Sequence, residues 1–273
     1  GASIGIALLG KDGATPSEVL RNADLALYRA EDSGRGNVKF SEPGMNADVQ
    51  KKVALARDLR RSIEEGTGLA LHYQPLIDLK RGNVTGYEAL LRWNHPERGN
   101  VSPAEFIPIA ESSRLICELG SWVLRTAIHQ AKAWIDAGEP PREVAVNVSA
   151  AQIWHSNVLE EIDRYLGETG LAPHLLCVEL TESLMAERGD ARVAAVLHGL
   201  RKRGITLALD DFGTGYSSLG YLSELPFDKL KIDRVFLVKA GESEHARELL
   251  KGIVALGHGL GLKVQAEGAE TMD

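Results

Sequence analysis

Glu88, Asn147, Glu179, the Asp210-Asp211 pair, Lys231 and Glu267 each stand at the end of a stretch that reads as a β-strand. In a barrel of alternating strands and helices, such ends meet at one mouth. Five carboxylates, one amide and one ammonium would then converge. Several like charges in one cleft repel unless cations lie among them. Hard oxygen donors of this kind suit Mg²⁺ or Mn²⁺. Two adjacent aspartates can share one ion and hold a second. Two metals about 4 Å apart would generate a hydroxide and stabilise both oxygens of an in-line phosphoryl displacement. Each residue also has a plainer reading on its own. A strand-end acid commonly caps the next helix, Lys231 would be a solvated lysine, and Asn147 would cap a turn. Their joint occurrence on successive strands favours the metal site. The segment DDFGTGYSSLGYL (210–222) adds glycines and small hydroxyl residues, read as a mobile loop beside the metals.

The elements that must position these groups are legible from periodicity. Strands are expected at 69–79, 84–93, 143–149, 175–182, 205–211, 229–233 and 262–268. Helical stretches separate most of them: PAEFIPIAESS and LGSWVLRTAIHQAKAWIDAG, then SNVLEEIDRYLGETG, DARVAAVLHGLRKRG and EHARELLKGIVALGHGLG. Lys80-Arg81-Gly82-Asn83 is too short for a helix and reads as a hairpin link between the first two strands. Thereafter the alternation indicates a parallel sheet, and its length favours an α/β fold of the TIM-like (β/α)8 kind. Such a barrel closes with eight strands. Seven are counted here, so the last strand and helix are expected to be missing.

Ahead of the barrel, residues 1–40 read as strand, helix, strand. Thr15 is placed as N-cap, Pro16 at the first helical position and Glu18 as the return half of a capping box. About 40 residues cannot bury an independent core. Residues 41–47 read as a linker. Residues 48–65 read as an amphipathic helix, carrying Val49, Val53, Ala56, Leu59 and Ile63 at helical spacing and ended by Gly66.

The 273 residues are 44% hydrophobic and 25% charged, ordinary for a soluble globular protein. The net charge of −7, from 31 Lys+Arg against 38 Asp+Glu, argues against a binder of nucleic acid polymers. It leaves room for a small phosphate ligand if metals neutralise the site. Apolar runs are strand-sized, so no membrane contact is expected. No signal peptide is evident, and a start at Gly1 rather than Met reads as a fragment or processed chain. Of two cysteines, Cys177 reads as core and Cys117 as helical; without a disulfide framework, a reducing, cytoplasmic setting fits.

The motifs YQPLIDL, GYEALLRW, AEFIPIAE, VNVSA, VELTES, DDFGTGYSSL, LKIDR and AEGAE make the resemblance specific. The chain resembles the EAL family of cyclic di-GMP phosphodiesterases from about residue 54 to the end. Glu88-Ala89-Leu90 matches the signature that names the family. The resemblance implies a TIM-like barrel whose first strand is antiparallel to the rest, in keeping with the short first link. It implies Mg²⁺ or Mn²⁺, two per site, and hydrolysis of cyclic di-GMP to linear pGpG. By match, Glu88, Asn147, Glu179 and Asp210 would hold one metal, and Asp210, Asp211 and Glu267 the second. Lys231 would hold or polarise the attacking water, with Glu88 and Glu267 completing the catalytic set. Gln74, Arg92 and Asp211 would contact substrate, Arg92 aimed at a phosphate because its planar fork fits phosphate oxygens. Glu182 would anchor the DDFGTGYSS loop. The family continues past AEG to a glutamine-glycine-aromatic segment that this chain lacks, leaving barrel closure and part of the site wall open.

NADLALYRAEDSGRG resembles the C-terminal end of a GGDEF diguanylate cyclase domain. Glu31 stands where that family carries a phosphate-contacting lysine, whereas Arg35 keeps its place. The implied layout is 1–42 as the remnant of a GGDEF domain, 43–66 as linker and connecting helix, and 67–273 as an incomplete EAL barrel. A homodimer formed near the DDFGTGYSS loop is also implied. Three competing readings are a catalytically inactive EAL receptor for cyclic di-GMP, a barrel enzyme using Lys231 as a Schiff-base nucleophile, and a structural interaction module. The receptor should have lost ligands, and none is lost. The Schiff-base enzyme needs a lowered lysine pKa, which surrounding acids oppose. The structural module leaves the acidic cluster unexplained.

Overall fold

A computed structural model describes residues 1–32, 36–42, 45–182, 184, 191–213, 222 and 224–268. The chain divides into two compact units, Gly1–Glu64 and Glu65–Asp273. In the first, β1 (Ile4–Ile6) and β2 (Val38–Phe40) pair in parallel, joined by the helix Pro16–Asp32. The capping box forms as expected. The Glu18 N–H donates to Thr15 Oγ1 at 3.3 Å, and the Thr15 N–H donates to Glu18 Oε2 at 3.1 Å. The next helix spans Met45–Glu65 and so begins inside the expected linker; Pro43-Gly44 are the only strong breakers there. Arg35 lies outside the described residues.

The second unit is the barrel sheet. Its strands are β3 (Leu69–Ile77), β4 (Val84–His95), β5 (Gly99–Val101), β6 (Glu143–Asn147), β7 (Leu176–Thr181), β8 (Thr206–Phe212), β9 (Lys229–Ile232) and β10 (Lys263–Ala266). The path runs β3-β4-β6-β7-β8-β9-β10, with β5 paired only to β4. β3 is antiparallel to β4, and every later pair on the path is parallel. The hairpin link holds because Asp78 Oδ1 accepts the N–H groups of Lys80 and Arg81 at 2.8 and 3.0 Å, while Gly82 supplies φ 68°.

Several short elements were not legible, among them the helix Ala150–His155 and the 3-10 turn Pro173–Leu175. β5 has three residues and follows Pro96, too short to show a period; His95 Nδ1 accepts the N–H groups of Glu97 and Arg98, which turns the chain back. The helix Arg234–Glu242 follows β9 directly, capped by Asp233, whose Oδ1 accepts the Val235 N–H at 2.7 Å.

Alternation along the parallel strands divides the sheet into two faces. Val144, Val146, Val178, Leu180, Leu207, Leu209, Leu230 and Ile232 face the helices and join one apolar core with Leu124 and Ile128 of the helix Leu115–Asp136. The opposite face carries the small fully buried Ala145, Cys177 and Ala208. Two residues further along those strands, the same face presents Asn147, Glu179 and Asp210.

Candidate active site

Register decides which residues meet. Asn147 pairs with Glu179, whereas Glu88 pairs with Ala145, two residues before Asn147, and Glu179 with Ala208, two residues before Asp210, so the acids step along the sheet from β4 to β8. Lys231 is fully buried among them. Its Nζ lies 2.5 Å from Glu179 Oε2, 2.7 Å from Glu267 Oε1, 3.0 Å from Asp210 Oδ2 and 3.3 Å from Glu88 Oε2. Asn147 Nδ2 donates to Glu88 Oε1 at 3.0 Å, which ties β6 to β4.

Adjacent aspartates on a regular strand would face opposite sides. β8 avoids this with an irregularity: Leu209 pairs with Leu230, and the next registered pair is Phe212 with Ile232. One extra residue is thus inserted in β8, a bulge. Asp211 takes the left-handed conformation there, φ 55°, which Asp tolerates better than most residues. Phe212 returns to the apolar face.

The electrostatics follow from burial. Desolvation alone would lower the Lys231 pKa, but Glu179, Glu88, Asp210 and Glu267 outweigh it and hold the ammonium above the ordinary lysine range. Burial pushes the Glu179 carboxyl up to about 8 against the pull of Lys231. Burial also raises Glu267, and raises Asp211 with a further push from the Asp210 charge. One ammonium cannot balance four carboxylates in so dry a place. Carboxylate oxygens of Glu88, Asp210 and Glu267 lie within 4.8 Å of one another. Hard donors, surplus negative charge and close approach together fit divalent cations.

The remaining expected residues fall around this centre. Gln74 is exposed and pairs directly with Glu88 across the β3–β4 ladder, so both share a face. Arg92 lies four residues beyond Glu88 on the same face of β4, and its Nη1 donates to Leu91 O at 2.9 Å. Glu182 is buried and its Oε2 accepts the Gly213 N–H at 2.9 Å. Residues 214–221 of the loop that it was expected to anchor lie outside the described residues.

Sequence reasoning did not single out Asp228 or Phe236. Asp228 Oδ2 accepts the Leu207 N–H at 2.9 Å, and its Oδ1 meets Arg201 Nη2 at 2.7 Å, which fixes β9 beside β8. An acid just ahead of a strand was the available signal. Phe236 lies over Gly213, where an added Cβ would stand 2.5 Å from the ring at φ 93°. Gly213→Ala therefore meets both a ring and a left-handed backbone, and the latter alone costs an ordinary residue about 1–2 kcal/mol. Chemical unfolding should show a lower midpoint; an unchanged one would mean that the turn relaxes freely.

A barrel sheet with an antiparallel first strand, carrying an acidic strand-end site with a buried lysine, defines a class of metal-site barrel. Residues 56–273 match the EAL domain family, and the chain belongs to it. The bifunctional diguanylate cyclase/cyclic di-GMP phosphodiesterase MucR of Pseudomonas aeruginosa is 43% identical over 270 residues, which are 99% of this chain and 39% of that protein. The cyclic di-GMP phosphodiesterase PdeR of Escherichia coli is 39% identical over 269 residues, 98% of this chain and 40% of that protein. The chain thus spans about two fifths of the length of these relatives. A solved structure described as PaMucR phosphodiesterase, c-di-GMP complex, aligns with TM-score 0.75 at 42% identity, covering 80% of this chain and 88% of that one. No helix among the described residues is long and apolar enough to cross a membrane.

Proposed function

We propose that this chain is a metal-dependent phosphodiesterase that hydrolyses cyclic di-GMP to linear pGpG. The observation that carries the proposal is the ring of Glu88, Glu179, Asp210 and Glu267 around a fully buried Lys231, in a chain akin to named cyclic di-GMP phosphodiesterases. Glu88, Asn147, Glu179 and Asp210 would hold one Mg²⁺ or Mn²⁺, and Asp210, Asp211 and Glu267 a second. Bound there, two such ions supply Lewis acidity toward a phosphate oxygen and toward water.

The residues do the positioning. Lys231 stays charged, so it serves as a fixed hydrogen-bond donor that orients the attacking water. The same charge disqualifies it as a Schiff-base nucleophile. Arg92 would take a phosphate and Gln74 the ligand beside it. Glu182, through Gly213, would hold the loop after β8. We read residues 1–42 as the end of a GGDEF domain, a reading supported by the alignment of MucR over 99% of this chain. The chain is proposed to be cytoplasmic and to form a homodimer, checked by sedimentation.

The test is incubation with cyclic di-GMP and Mg²⁺ or Mn²⁺, with and without chelator. pGpG should form only with the ion. Turnover in chelator contradicts the mechanism. Tight binding with no turnover favours the catalytically inactive receptor.

A further inference from the structure

Asn147 is held from its own side by an arrangement that none of the site residues explains. The Val148 N–H donates to Glu179 O at 2.9 Å, so the chain beyond Asn147 is pinned to β7. One residue later, Ser149 opens the helix Ala150–His155 with a reciprocal capping box. The Ser149 N–H donates to Gln152 Oε1 at 3.0 Å, and the Gln152 N–H donates to Ser149 Oγ at 3.3 Å. Gln152 is 2% exposed, unusual for a capping-box partner on a six-residue helix. Its amide lies in a notch that Gly120 leaves in the helix Leu115–Asp136. A Cβ built on Gly120 would overlap Gln152 Nε2 and Cδ and stand 2.7 Å from Oε1. Gln152 Nε2 has no hydrogen-bond partner among the described residues. A buried donor left unmade is costly, so this amide is not there for its nitrogen. Its Oε1 fixes the Ser149 N–H, and the notch fixes the amide.

We infer that Gln152, seated in the Gly120 notch, is a positioning residue that sets the direction of Asn147 toward Glu88 and the metal site. Strand β6 ends at Asn147, an exposed residue whose side-chain amide donates to Glu88. Its backbone is therefore aimed by the Val148 and Ser149 anchors, two consecutive constraints immediately beyond the strand end. The inference rests on the metal-site reading.

Direct Mn²⁺ titration of the full 273-residue chain, by calorimetry or by loss of the free-ion electron spin resonance signal, tests it without turnover. Asn147→Ala gives the reference loss. Gln152→Met fills the notch but offers Ser149 no acceptor, and should weaken Mn²⁺ binding by about 10-fold, the low end for a partner that orients a metal ligand. Gln152→Glu retains the acceptor and should recover most of that loss. Ser149→Ala removes the reciprocal bond without touching the notch, and should shift affinity in the same direction as Gln152→Met. Unfolding midpoints in chelator establish that each variant is folded. Wild-type affinity in both Gln152→Met and Ser149→Ala overturns the inference, as does an Asn147→Ala that binds normally. Absence of Mn²⁺ binding by the wild type overturns the metal reading itself, and is a distinct result.

Discussion

Lys231→Met is expected to destabilise the metal-free chain by about 3–5 kcal/mol and to abolish turnover. The lysine is fully buried and is the shared partner of four carboxylates, three on β4, β7 and β8 and one just past β10. Burying an ammonium costs free energy, and only its partners offset that cost. Once the ammonium is removed, the carboxylates face each other undiluted, and burial already pushes Glu179 up to about 8. Methionine keeps the volume, so the loss is electrostatic rather than a cavity. Chemical unfolding in chelator measures it. Added Mn²⁺ should stabilise the variant more than the wild type, since ions then supply the only positive charge in the ring. Equal midpoints for variant and wild type in chelator would show that the ring does not depend on this cation.

Glu88→Ala is expected to leave the fold standing and remove activity. Glu88 makes the longest of the four contacts to Lys231, 3.3 Å, and its side chain is 12% exposed. Three carboxylates still surround the ammonium after its loss, so the unfolding midpoint in chelator should shift little. The Asn147 amide, however, loses its Glu88 acceptor, and the close triad of Glu88, Asp210 and Glu267 loses a member. Turnover should fall by at least about 100-fold, the upper scale for losing even an outer partner of a metal ligand. Near-normal turnover with the variant would remove Glu88 from the site.

The barrel strands were legible because buried strands between helices have a simple signature, and each strand that carries an active-site acid is found within two residues of its expected ends. The first link was legible for the opposite reason: four residues cannot cross a sheet. What escaped was set by tertiary contact. The bulge at Asp211 has no period to announce it, yet it breaks the alternation that would send Asp210 and Asp211 to opposite faces. The Gly120 notch joins residues of two helices, and the seat of Phe236 on Gly213 joins a strand end to a helix that the sequence pattern did not reveal. Lys231 was expected beside the acids. That it would be the hub contacting four of them required the register of β4, β7, β8 and β9.

The most direct measurement is a crystal of the chain soaked with Mn²⁺ and cyclic di-GMP, with the ions located by anomalous scattering. The expected result is two peaks about 4 Å apart, one beside Glu88, Asn147 and Glu179, one beside Asp211 and Glu267, with Asp210 touching both. Arg92 should reach a phosphate. Clear density for cyclic di-GMP with no metal peak among these residues would contradict the two-metal phosphodiesterase.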